Sequence, residues 1–118
     1  MILDEFTTNN LYEMSNFGHK TTGLSSSIQI WMRTEPIQLP HNNYRVKIEK
    51  NKEFSAIFSV SKDPTILKSS HKNKLSKKEI IEIKNFISNY SSLIIGHIDG
   101  KIDSGDFAIE LQKIRGIL

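Results

Sequence analysis

A chain of 118 residues, 37% of them hydrophobic, is the size of one domain and can bury a modest core without metal or disulfide support. The absence of cysteine excludes a disulfide framework, a thiolate nucleophile and any zinc site with Cys ligands. The net charge of +3 is uneven: residues 45–84 hold eleven basic and five acidic side chains, while the stretches on either side are net acidic, and such a basic stretch attracts nucleic acid or an acidic protein.

The opening residues MILDEF place two acids, and no basic segment, around the first apolar residues, unlike a secretory signal. The longest apolar runs, such as Leu93-Ile94-Ile95, have three residues and are far short of a membrane span, so a cytoplasmic protein with no membrane contact is the expectation. Leu11, Met14 and Phe17 recur at helical spacing and predict a short helix over 5–17. Gly18 and Gly23 then bracket a loop, HKTT.

From Ile28 the period changes to two. Ile28, Ile30 and Met32 alternate with Gln29, Trp31 and Arg33, which predicts a strand with one buried face. Pro36 and Pro40 make EPIQLPHNN a constrained connection. A second strand is predicted over 44–48, with Tyr44, Val46 and Ile48 on one face and Arg45 and Lys47 on the other. Lys50-Asn51-Lys52 is a hairpin break, and in a third strand over 54–60 Phe54, Ala56, Phe58 and Val60 share the apolar side, with Ile57 the exception opposite. Residues 65–75 read as a polar, basic connection with a brief apolar contact at Ile66-Leu67.

Ser76 and Glu79 have the S-x-x-E spacing of a capping box, and Leu75 and Ile80 stand at the two positions of a hydrophobic staple. They predict a helix over 77–90 whose Ile80, Ile83, Ile87 and Tyr90 form an apolar stripe, widened by Ile81 and Phe86. Ser91-Ser92 bends or ends that helix before 93–98, Asp99-Gly100 is a turn signal, and Ser104 is the expected cap of a last short helix. The sum is one α+β domain over 1–118: a small, mostly antiparallel sheet packed against one main helix, with short terminal helices.

DGKIDSGDF tempts towards a calcium loop, but with Gly100 at the obligatory glycine the register leaves Ile95 and His97 where oxygen ligands belong. His19, His41, His71 and His97 are scattered without metal-binding spacing, and no H-E-x-x-H motif, P-loop or cofactor motif occurs. No cofactor or metal is therefore expected. Two binding readings and one catalytic reading remain. His19 and His41, in loops beside strands carrying Arg33 and Arg45, would suit a metal-independent ribonuclease if the four converged, with histidine moving a proton and arginine holding phosphate. Trp31 beside Arg33 and Tyr44 beside Arg45 would stack bases and contact phosphate in a nucleic-acid binder. Alternatively, Lys47, Lys50, Lys52, Lys72, Lys74, Lys77 and Lys78 would steer an acidic protein partner on to Trp31 or Tyr44.

Thr22, Gly23 and Leu24, then Ile30-Trp31, then His41, then Arg45-Val46-Lys47-Ile48, and finally Gly100 and Ile102 form an ordered pattern. It resembles a widespread group of small uncharacterised bacterial and phage-associated proteins; where that group has an aromatic pair before the late Asp-Gly, this chain has His97-Ile98. The resemblance implies an α+β domain and carries no reaction to transfer. The expectation is a noncatalytic macromolecular-binding module engaging an acidic protein in a phage-related or toxin–antitoxin setting, with nucleic-acid binding or ribonuclease activity as the alternative. Oligomerisation is open, because an unprotected edge strand pairs with another chain.

Overall fold

The computed structural model describes residues 13–34 and 44–116. Five strands, β1 (Glu13–Phe17), β2 (Ile28–Thr34), β3 (Arg45–Lys50), β4 (Glu53–Ser59) and β5 (Ile66–Ser69), form one sheet in the order β1-β2-β3-β4-β5. Every neighbouring pair is antiparallel. A one-turn helix, α1 (His19–Thr22), lies between β1 and β2; α2 (Lys77–Asn89), α3 (Ser91–Ile98) and α4 (Ser104–Ile114) follow the sheet. Strands first and helices after is the arrangement of an α+β fold, as the sequence predicts.

The period of two sorts each strand between a core face and an outer face. Phe17, Ile28, Ile30, Met32, Val46, Ile48, Ala56 and Phe58 are buried in one cluster with Ile83, Phe86 and Ile87 of α2, Ile94 and Ile98 of α3, and Phe107 and Leu111 of α4. The sheet thus buries one face under three helices. Trp31, Arg33, Arg45, Lys47, Glu49 and Ile57 alternate with the buried residues and belong to the outer face.

Three predicted elements change. The helix over 5–17 is replaced, in its described part, by strand β1, where Ser15 and Phe17 are buried two residues apart against Met32 and Ile30; residues 5–12 lie outside the described residues. The loop HKTT is α1, closed by Gly23 at φ 75 in the left-handed region. The connection over 65–75 contains β5, whose four residues are all exposed and so carry no alternation to read.

A β-bulge moves one aromatic to the other side of the sheet. Ile48 faces Ala56 but Glu49 faces Phe54, so Ser55 is the extra residue. Phe54 therefore sits on the outer face beside Lys68, whose Nζ is 5.8 Å from its ring centre, rather than on the core side with Ala56. The hairpin between β3 and β4 turns on Asn51 and Lys52 at φ 56 and 66, the two positive values of a type I′ turn.

The capping box forms as predicted: the Glu79 N–H donates to Ser76 Oγ at 3.1 Å and the Ser76 N–H to Glu79 Oε1 at 2.7 Å. Ile83 and Ile87 are fully buried, whereas Ile81 is 59% exposed and leaves the stripe. The last helix is capped by Asp103, which accepts the Asp106 N–H at 2.8 Å. Ser104, the expected cap, exchanges a hydrogen bond with Ser15 Oγ at 2.9 Å and ties α4 to β1.

Gly23 shows what the T-G-L segment does. A Cβ there would collide with the Arg115 guanidinium, which donates to the Thr21 carbonyl. Thr22 donates to Gly18 O and accepts the Leu24 N–H, and Leu24 enters the core. The segment closes a turn and pins it to the C-terminal end of α4.

Candidate macromolecule-binding surface

The groups of a ribonuclease site are not brought together among the described residues. His41 lies outside those residues. His19 follows β1 at the end of the sheet where β2 begins; its Nδ1 contacts Leu24 O, and it lines an open depression with Lys78, Glu82 and Phe86 of α2. Arg33 and Arg45 stand at the opposite end, where β2 finishes and β3 starts. Phe17 is level with Ile30, so Arg33 lies about five residues, or about 17 Å, from the level of His19 along the strand direction.

The two aromatics proposed for contact are also engaged. Trp31 Nε1 donates to Glu49 Oε1 at 2.8 Å. Lys47 sits across the same indole, with Nζ 5.7 Å from the ring and 3.8 Å from Glu49 Oε2, and is only 6% exposed. This lysine therefore departs from the expected mobile surface charge. Glu49 places negative charge beside the indole, which opposes a phosphate backbone at that spot. Tyr44 donates its hydroxyl to Asp99 Oδ1 at 2.7 Å and joins the start of β3 to the end of α3.

The remaining lysines separate into one anchor and an exposed group. Lys50 is the anchor: its Nζ lies 2.9 Å from Glu79 Oε1 and also donates to the Lys74 carbonyl at 3.3 Å. Burial pushes the Glu79 carboxyl up, but the Ser76 N–H, the Ser76 hydroxyl and the Lys50 ammonium outweigh it and hold the group below its ordinary value of 4.5. The contribution of this ion pair to stability is thus present above the ordinary glutamate range and fades as pH falls through the depressed value of the folded state. Glu79→Gln keeps the capping geometry and removes the charge. It should cost about 1 kcal/mol at pH 7, the gap between charged and neutral hydrogen bonds. In urea titrations at a series of pH values that gap should narrow as pH falls below the ordinary glutamate range; a constant gap would contradict the assignment.

Lys52, Lys72, Lys74, Lys77 and Lys78 are exposed. Residues 62–78 hold six lysines and one acid, Asp63, and this segment is fixed in place by residues the sequence does not advertise. Asn73 Nδ2 donates to the carbonyls of Lys50, Glu53 and Phe54 at 2.9, 3.0 and 3.2 Å. The buried Ser55 of the bulge donates to Asn73 O, and Ser70 Oγ accepts the N–H groups of Lys72 and Asn73. Beside this clasp a cavity of about 350 Å³ opens between β5 and the start of α2, lined by Ile66, Leu75 and Ile80 with His71 and Lys74 at its rim. Leu75 and Ile80, the expected staple, both line it. Ile66 at this cavity and its neighbour Leu67, in a stretch that reads as connection, are 39% and 53% exposed; their only signal in the sequence is a pair of apolar residues inside a basic segment.

Among the described residues no three His, Asp or Glu side chains gather to hold a metal ion, and no helix is long and apolar enough to cross a membrane. No protein-family model matches the chain, and comparison with curated proteins and with solved structures found no significant match.

Proposed function

We propose that this chain is a noncatalytic binding module that engages an acidic protein partner through the lysine-rich flank formed by 62–78. The supporting observation is the fixed display of charge: Lys72 and Lys74 are exposed on a segment held by Asn73, Ser55 and Ser70. A segment already ordered loses less conformational entropy on binding than a free lysine tail. The apolar surface at Ile66 and Leu67 adds area that a purely electrostatic contact lacks. The resemblance to phage-associated proteins supports a phage-related or toxin–antitoxin setting in the cytoplasm.

Nucleic acid is the competing partner for the same charge. Against it stand Glu49 at Trp31 and Asp99 at Tyr44, which engage the polar ends of the two aromatics proposed for stacking. Affinity capture from the native host, with protein and nucleic acid identified separately after nuclease treatment, tests the reading. Retained acidic protein should be released by raised salt, and Lys72→Glu with Lys74→Glu should weaken its binding about tenfold, at about 0.2–1 kcal/mol for each exposed charge pair lost and a similar repulsion gained. Retention of RNA or DNA alone, or chelator-resistant ribonuclease activity abolished by His19→Ala with His41→Ala, would overturn it.

A further inference from the structure

β5 is an edge. It pairs with β4 on one side, and no strand pairs with its other side among the described residues. The Ser70 N–H donates to Ser55 O at 2.7 Å and the Ser59 N–H to Thr65 O at 2.9 Å, so those residues turn their backbone groups towards β4. The pairing of β5 with β4 shifts register at Leu67, with Lys68 opposite Ile57 and Ile66 opposite Phe58, and across this bulge the N–H and C=O groups of Ile66 and Ser69 are the ones aimed away from the sheet. All four residues of β5 are exposed.

The two faces of this edge differ in chemistry. Towards the helices, Ile66 and Ser69 line the cavity that Leu75 and Ile80 floor. Towards the outer face, Lys68 stands over Phe54; Lys72 follows the strand, and Lys74 borders the cavity on the helix side. We infer that β5 is a docking strand that accepts an extended peptide of alternating apolar and acidic residues as a sixth strand, and that this is how the acidic partner proposed above is held.

The pairing supplies backbone hydrogen bonds, and the alternation supplies specificity. One set of side chains enters the apolar cavity, which Lys74 borders, and the other meets Lys68. A second copy of this chain fits the edge poorly, because antiparallel self-pairing brings Lys68 and its basic neighbours against their own images, and like charges facing each other across strands are destabilising. The same lysines that repel a copy attract an acidic strand.

The inference rests on the acidic-partner reading, and its test separates the two. The probes are a fluorescent decapeptide of alternating leucine and glutamate, a peptide of the same composition with its leucines and glutamates in separate blocks, and an alternating leucine–lysine peptide. The alternating acidic peptide should bind at least tenfold more tightly than the other two, and hydrogen exchange of the Ile66 and Ser69 amides should slow on binding. Ser69→Pro removes an outward N–H and leaves the bonds to β4 in place, so it should weaken binding at least tenfold with an unchanged melting temperature. Lys68→Glu with Lys74→Glu should do the same, which keeps the inference testable if the proline variant folds poorly. Binding that survives Ser69→Pro without slowed exchange would overturn strand addition. If lysine reversal still abolished capture of the acidic partner in that case, the broader reading would stand. Dimerisation abolished by Ser69→Pro would identify a second copy as the occupant and overturn the inference, whereas displacement of the peptide by RNA at equal charge concentration would overturn both.

Discussion

Replacing His97 with alanine is expected to destabilise the fold by about 3–5 kcal/mol, the range for removing a buried aromatic side chain. The ring is 1% exposed and packed between Phe17 and Phe107, with centroids 5.6 and 5.3 Å away. Nδ1 lies 2.7 Å from the Ile102 carbonyl; a carbonyl only accepts, so Nδ1 carries the proton. Nε2 is buried without a hydrogen-bond partner. The histidine therefore works as an aromatic core residue with one hydrogen bond that fixes the turn between α3 and α4. His97→Phe keeps the ring, removes the unpartnered nitrogen and leaves the Ile102 carbonyl unpaired, which should cost about 1–2 kcal/mol. Urea unfolding of the two variants separates packing from hydrogen bonding: equal losses would show that the bond to Ile102, rather than the ring, holds this corner. In either variant that folds, peptide binding at β5 should be unchanged.

His97 also shows why sequence pattern reveals the frame of this protein more readily than its surface. The capping box at Ser76 and Glu79 is legible because both partners lie within one turn, and β2 is legible because Ile28, Ile30 and Met32 are all buried with polar or amphipathic residues between them. β1 is not, because its buried Ser15 and Phe17, one of them polar, leave the spacing open to a helical reading. β5 is invisible for a related reason: an exposed edge has no buried face to set a period. The side on which Phe54 lies depends on the bulge at Ser55, and that residue is held by Asn73, 18 positions away. Lys50 reads as free surface charge until Glu79, 29 positions away, is placed beside it. The candidate surface is thus half legible. Its lysine count is plain in the sequence, but the residues that position those lysines act across the fold.

Asn73→Ala should cost about 2–3 kcal/mol, and the loss should reach the binding surface as well as the fold. One side-chain amide with two hydrogens serves three carbonyls, those of Lys50, Glu53 and Phe54, so one of its bonds is shared. All three acceptors lie around the β3–β4 hairpin, and two, Lys50 and Phe54, are in part-buried bonds. Alanine leaves them to whatever water can reach, at about 1 kcal/mol for each lost bond. Asn73→Asp is the sharper variant: it has nearly the same shape but presents an acceptor to three acceptors, so it should destabilise at least as much as alanine. Because Asn73 joins the sheet to the segment bearing Lys72 and Lys74, amide exchange in 70–75 should speed up in both variants before the sheet itself opens. Binding of the alternating acidic peptide should then fall several-fold although no lysine has been touched, since ordering the segment becomes part of the cost of binding. Unchanged affinity in a folded Asn73→Ala protein would mean that charge alone, without the clasp, sets recognition at this surface.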